Sequence, residues 1–321
     1  MEIKSEIIER IKKLEEKYAA MGQDLASYLD GLLYADYLTY WDYIHLDTLL
    51  SLQNPKTSFP DEEIFIMYHQ ITELYFKLCL HEMKQISAAN PITKDFLKDR
   101  VGRINRYFEA LTRSFAIMIN GMEPVQFLKF RMSLLPASGF QSAQYRLIEV
   151  YATEFTELVD KAHREAFKSS GEQSIEKMFE HIYWKQGATE LSSGKKTLTL
   201  RQFENKYAKL IIHTARQVQG KTLWDQYNRL SDADKKDLDL INQLKQLDLN
   251  VNVNWPLVHY KSAVRYLQKN PEDIKATGGT NWQKYLPPRF QRRIFYPSLW
   301  TPEELEDWGT GMKRIFEMEL P

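Results

Sequence analysis

Apolar residues recur along this chain at helical spacing and almost nowhere at strand spacing. Ile7, Ile11, Leu14 and Tyr18 follow one another at intervals of 4, 3 and 4, a single stripe on a charged helix that ends near Gly22. So narrow a stripe needs a partner, another subunit being one candidate. Residues 24–53 predict one or two more helices, and Pro55 and Pro60 bracket a loop. Neither Pro nor Gly occurs from Asp61 to Asn90. That allows a helix of up to about eight turns, and Asp61, Glu62 and Glu63 favour its start through the helix dipole. A second long helix is predicted from Thr93 to Gly121, a short one over 123–135, and a third long one over 143–167 after the breaker "PASGFQS". The 169–249 span reads as a possible helical excursion: polar and Gly/Ser-punctuated to 200, helical over 201–220, and a solvated Asp/Lys/Leu-rich helix over 221–249. Asn254 and Pro256 open a helix that runs towards Asn270. The last fifty residues mix loop, basic clusters and a short helix capped near Thr301. With no strand-like run and no internal repeat, the fold class is all-α, a large helical bundle in one domain over residues 1–321, with 1–22 as an N-terminal assembly helix.

One stretch is odd for a core helix. "FIMYHQITELYFKLCLHEM" is apolar and aromatic, yet it carries His69, Gln70, Thr72 and Glu73 within five positions. Each would cost roughly 1–3 kcal/mol if buried without a partner. Phe65, His69, Thr72 and Phe76 share a face. An imidazole between two phenyl rings and a hydroxyl suits a pocket for a flat apolar substrate; a core histidine bonded to a carbonyl explains it as well. His81 lies off that face, and "HEMKQ" places Gln85 where a zincin would have its second histidine. His259 has Ser262 and Ala263 one turn on, and Trp255 and Tyr266 on the same side. Small neighbours leave room for a flat macrocycle ligated by that nitrogen, whereas a half-exposed helix histidine is the plainer reading. His45 and Asp47 diverge on a helix, and His163, His181 and His213 read as surface. Arg131, in an apolar setting, wants a carboxylate from the protein or from a ligand. "ATGG", Ala276 to Gly279, offers backbone amides and the Thr277 hydroxyl.

Composition narrows the classes. The 43 basic and 43 acidic residues balance, which removes any bulk electrostatic case for nucleic acid or an anionic membrane. The single cysteine, Cys79, excludes an internal disulfide, a Cys-rich zinc site and covalent haem attachment through Cys-x-x-Cys-His. Tyr (18) outnumbers Phe (16), which suits a planar ligand or large flat contacts. No signal-like h-region and no membrane-length apolar run is seen, so a cytoplasmic enzyme or binding protein is expected.

Taken in order, "TYWDYIHLDTLLSLQ", "DEEIFIMYHQITELYFKLCLHEM", "FRMSLLPASGFQSAQYRLIE", a helix histidine and "TGG" resemble the tryptophan 2,3-dioxygenase family. The likeness covers roughly residues 35–150 well and 250–280 loosely, and its strongest blocks are "HQITELYFK" and "SGFQSAQYRLIE". It implies an all-helical homotetramer with the N-terminal helix swapped onto a neighbouring subunit and a b-type haem held between helices. His259 would ligate the iron, and His69, the catalytic residue, would accept the indole N–H of L-tryptophan. Arg131 would pair with the substrate carboxylate, Thr277 would touch the amino-acid end, Phe65 the indole, and Ser138 the haem. Tyr40 and Tyr43 match a tyrosine pair that reaches the site from a neighbour. The implied reaction inserts O2 across the indole C2–C3 bond to give N-formylkynurenine, the entry step of the kynurenine pathway. Two departures touch the substrate's amino-acid end. Phe127 stands in the substrate site where the family has a tyrosine, a lost hydrogen bond worth on the order of 1.5–3 kcal/mol. The interval from His259 to Thr277 is also long, filled by "QKNPEDIK". They keep open a haem monooxygenase or hydroxylase acting on a modified indole or another aromatic amino acid. A non-catalytic protein that binds haem or an aromatic metabolite is the second alternative.

Overall fold

The computed structural model describes residues 3–35, 38–131, 141–170, 174–189, 195–267 and 288–309. Among them the regular structure is helical, with no strand and only two isolated bridges, Val159 with Ile182 and Thr189 with Lys196. The chain divides into two compact units, Met1–Asn54 and Pro55–Pro321.

The first unit holds α1 (Ser5–Ala20), α2 (Leu25–Leu33), α3 (Tyr40–Tyr43) and α4 (Leu46–Leu50). Gly22 ends α1 as its sequence suggests. At φ 67° it adopts the left-handed turn, its N–H bonds the Ala19 carbonyl, and the Gln23 N–H bonds the Tyr18 carbonyl. Asp24 then caps α2 by accepting from the Ala26 and Ser27 amides. The unit buries little of its apolar surface: Leu32, Leu33, Tyr40 and Tyr43 are each at least 70% exposed.

In the second unit α5 (Asp61–Ala88) packs along α6 (Lys94–Ser114) and α9 (Ala143–Ala152). Along α6, Leu97, Val101, Ile104, Phe108 and Leu111 repeat at helical spacing, and all five are fully buried. Glu62 secures the start of α5. Its carboxylate accepts the Lys56 and Thr57 amides at 2.9 and 2.7 Å. Burial pushes its pKa up, but these bonds and that from the Thr57 hydroxyl outweigh it and hold the group below the usual range. Asp61 accepts the Glu123 N–H at 2.6 Å and so ties the start of α5 to that of α8 (Pro124–Arg131), which follows α7 (Ala116–Asn120).

The helix expected from Thr93 to Gly121 breaks at Phe115 between α6 and α7, and the structure departs from the periodicity in three further places. The expected 143–167 helix is broken. It stops at Ala152, where Thr153 is extended and its hydroxyl donates to the Phe295 carbonyl, and resumes as α10 (Lys161–Ser170), capped by Asp160. The polar stretch after 169 supplies core: Ile175, Met178 and Phe179 of α11 (Ile175–Glu180) and Trp184 of α12 (Tyr183–Gln186) are buried. Finally, α13 (Leu198–Val218) and α14 (Leu223–Asn228) lead to α15 (Leu238–Leu249), for which the charge pattern predicts a solvated helix but which buries Leu240, Leu244 and Leu247. Asp and Lys on its outer face had masked a three-residue stripe. A π turn over Asn250–Asn254 joins α15 to α16 (Trp255–Leu267) without a break.

Candidate functional site

The aromatic run of α5 resolves its own puzzle. Thr72 donates to the Tyr68 carbonyl at 2.9 Å, and Glu73 accepts from Gln144 of α9 at 2.8 Å. The His69 imidazole lies with Nδ1 2.7 Å from the Phe65 carbonyl. Nδ1–H is then the donor, and Nε2 is left as an outward-facing acceptor. The face predicted for Phe65, His69, Thr72 and Phe76 splits in two. Thr72 is buried rather than facing a pocket, and Phe76 sits in the main core against Tyr145 and Trp255 at ring-centroid distances of 5.4 and 5.8 Å. Phe65 and His69 stay together, their rings 4.0 Å apart.

His69 is open on one side, yet burial pushes its pKa down. An accessible ring surrounded by that much protein is a group on the wall of a concavity. His259 of α16 has the same character. It is only half-buried by area, and burial first, then the repulsive charge of His69, lowers its pKa to about 4. At neutral pH the His259 ring is uncharged, and among the described residues it makes no hydrogen bond. Its contact is the Phe115 ring at 6.0 Å.

A cluster of rings links the two helices to α8. Phe65 lies 6.2 Å from Phe127 and 5.7 Å from Phe130, and Phe127 lies 4.4 Å from Tyr266 of α16. Phe127 is thus buried among aromatics, and the neighbouring Tyr266 hydroxyl donates to the Ile119 carbonyl at 3.3 Å. Arg131 closes α8 one turn beyond Phe127, half-buried and engaged. The structure so brings Phe65, His69 and Phe127 together, with Arg131 on the helix that carries Phe127 and His259 on the helix that carries Tyr266. Ser138 and Thr277 lie outside the described residues. Tyr40 and Tyr43 belong to the first unit, where both are exposed.

The segment before α16 carries a polar network that sequence reasoning missed. Glu149, fully buried, accepts from Arg146 at 2.9 Å and from Arg293 at 2.5 Å. Arg293 also donates to Asn252 and to the Val251 carbonyl, both in the π turn. Asp248 accepts from Asn252, from the Phe295 and Tyr296 amides and from the Trp300 indole. Burial pushes Asp248 up to about 6 against these bonds. The run "NVNVN" was the available signal, since Asn and β-branched Val are poor helix formers placed where a helix should continue.

A half-buried, neutral imidazole with a free lone pair suits metal ligation, and the buried Ser262 one turn on adds little bulk. The donor set fits a haem held by His259, with the aromatic wall and His69 forming the rest of the concavity.

Comparison with known proteins gives a consistent result. The family model for tryptophan 2,3-dioxygenase matches residues 32–245, a span that contains Phe65, His69, Phe127 and Arg131 and ends before His259. A tryptophan 2,3-dioxygenase of Ruegeria sp. (strain TM1040) is 42% identical over 130 residues, 40% of this chain and 44% of that protein. The matched segment thus spans less than half of that relative's length. The tryptophan 2,3-dioxygenases of Bacillus thuringiensis subsp. konkukian and Pseudomonas fluorescens match more widely, at 28% identity over 82% of this chain and 29% over 84%. These two alignments take in 91% and 92% of the relatives.

Proposed function

Because the chain belongs to the tryptophan 2,3-dioxygenase family, we propose that it cleaves the indole ring of L-tryptophan with both atoms of O2 and forms N-formylkynurenine, using a b-type haem ligated by His259. When bound, that haem supplies the binding and activation of O2. The residues of this chain bind and orient the substrate. His69, with Nδ1–H committed to the Phe65 carbonyl, presents Nε2 as an acceptor for the indole N–H. The Phe65 ring lies against that imidazole and offers a flat apolar surface. By the family resemblance, Arg131 would take the carboxylate, Thr277 the amino-acid end, and Ser138 would contact the haem. The exposed Tyr40 and Tyr43, with the largely uncovered apolar surface of the first unit, support a homotetramer in which this unit reaches a neighbouring copy. The aromatic cluster that joins α5, α8 and α16 around Phe65 and His69, within a span matched by the family model, is the observation that carries the reading.

The test is direct. Protein produced with haem available is reduced without air, given L-tryptophan, then exposed to O2, and the product is identified by absorbance and mass. N-formylkynurenine, a gain of two oxygen atoms, is expected; a Soret band with no product from L-tryptophan sinks the assignment.

Phe127 favours one second reading, a haem monooxygenase acting on a modified indole or another aromatic amino acid. The position offers no hydroxyl for the substrate carboxylate, and the neighbouring Tyr266 hydroxyl is spent on a backbone carbonyl. If free L-tryptophan is the substrate, Phe127→Tyr is expected to raise kcat/KM by about 10-fold or more, the worth of one hydrogen bond to a charged group. No gain, together with a product carrying a single added oxygen, selects the second reading.

A further inference from the structure

Three ligand-bearing side chains meet away from this concavity. Asp160 precedes α10, and its carboxylate accepts the Ala162 amide at 2.9 Å. The same carboxylate lies 2.8 Å from His163 Nδ1. His181 comes from the turn between α11 and α12. Its carbonyl accepts the Asp160 N–H at 2.8 Å, and the adjacent Val159–Ile182 bridge fixes the two backbones side by side. The imidazoles of His163 and His181 stand 4.1 Å apart, tilted by 34°. One ligand atom from each of the three residues lies within 4.8 Å of the others. Helix capping accounts for Asp160 and His163. It does not account for His181, a second imidazole that the backbone bridge holds against the first.

We propose that Asp160, His163 and His181 bind a divalent transition cation of the zinc class. Two imidazole nitrogens and one carboxylate oxygen are borderline ligands that suit Zn2+ over Ca2+ or Mg2+. Ligand bonds of about 2.0–2.2 Å require the three atoms to draw somewhat closer, and the His163 side chain, 45% exposed, has room to turn. Asp160, 8% exposed, supplies the fixed negative charge. The nearby cations are committed elsewhere: Arg164 donates to the Val159 carbonyl at 3.0 and 3.1 Å, and Lys168 pairs with Glu157 at 2.7 Å. Three protein ligands leave the remaining position to water. The ion would clamp the start of α10 to the α11–α12 turn, adding to the backbone bridge and to the Phe167–His181 ring contact at 5.8 Å. The site is separate from the indole concavity and does not depend on the activity proposed above.

The experiment uses the whole protein, cleared of loose metal with a chelator and titrated with Zn2+ alone, with metal content read by elemental analysis and binding by calorimetry. About one tightly held zinc per chain is expected, with at least 10-fold weaker binding in both His163→Ala and His181→Ala. His213→Ala, an exposed histidine on α13, should bind as the native chain does. Far-UV circular dichroism shows that each variant is folded. Absence of stoichiometric zinc in the native chain, or zinc retained unchanged in both variants, overturns the proposal.

Discussion

Glu149→Ala is expected to destabilise the second unit by about 3–5 kcal/mol, the usual cost of removing one partner from a buried ion pair. Glu149 is fully buried between two guanidiniums that are themselves 6% and 5% exposed, those of Arg146 and Arg293. Its oxygens also accept the Tyr183 hydroxyl at 2.5 Å. Deleting the carboxylate leaves two cations in the interior without the charge that neutralises them. Against a typical folding free energy of 5–15 kcal/mol, the loss should lower Tm by on the order of 10 °C. Glu149→Gln keeps the shape and gives up the charge, so it should fall between the two. A Tm within about 2 °C of the native protein for Glu149→Ala would falsify the view that this triad organises the fold.

The consequence reaches the site because Arg293 spans both regions. Its Nη1 meets Glu149, its Nε meets Asn252, and its Nη2 meets the Tyr145 hydroxyl at 3.1 Å. That hydroxyl in turn donates to the Val251 carbonyl at 2.6 Å. Val251 and Asn252 belong to the π turn that leads directly into the helix of His259. Side chains tie the π turn along its length, Gln246 and Asn254 both donating to Asn250 Oδ1 at 2.9 Å. Loss of Glu149 should therefore loosen the seat of His259 as well as the core.

The sequence made the helices legible where a stripe was long and regular, as along α6, because 3.6-residue periodicity is a local property. It also singled out His69 and His259 as candidates, since each is a polar residue in an apolar or small-residue context. What stayed hidden depends on chain segments far apart. Glu149 lies in "RLIEVYA" and looks like an ordinary helix glutamate; only Arg293, 144 positions later, makes it a buried hinge of charge. Asp248 is likewise explained by Phe295 and Trp300. His163 and His181 read as surface because their neighbours in sequence are charged. A backbone bridge between Val159 and Ile182, which no periodicity announces, sets them together. The break in the expected 143–167 helix has the same origin, since Thr153 bonds the distant Phe295 carbonyl in place of continuing the turn.

His259→Ala is expected to abolish haem retention and indole cleavage together. The imidazole is uncharged at neutral pH because burial holds its pKa near 4, and no hydrogen bond among the described residues competes for its nitrogens. Those two properties make it the best-placed ligand on the concavity. His69, the other imidazole there, has Nδ1 tied to the Phe65 carbonyl and is set to accept a proton donor. The variant should lose the Soret band and show product formation at background level, a fall on the order of 10^3-fold or more if one oriented, activated site accounts for turnover. Because a truncated histidine leaves a hole of its own shape, added imidazole should restore part of the band and part of the rate. Rescue by imidazole distinguishes a lost ligand from a damaged fold, which no small base repairs. His69→Ala gives the contrasting pattern: haem kept, with kcat/KM reduced through loss of substrate orientation. Should His259→Ala keep its Soret band while His69→Ala loses it, the roles of the two histidines are exchanged, and the indole would have to bind on the α16 side of the concavity.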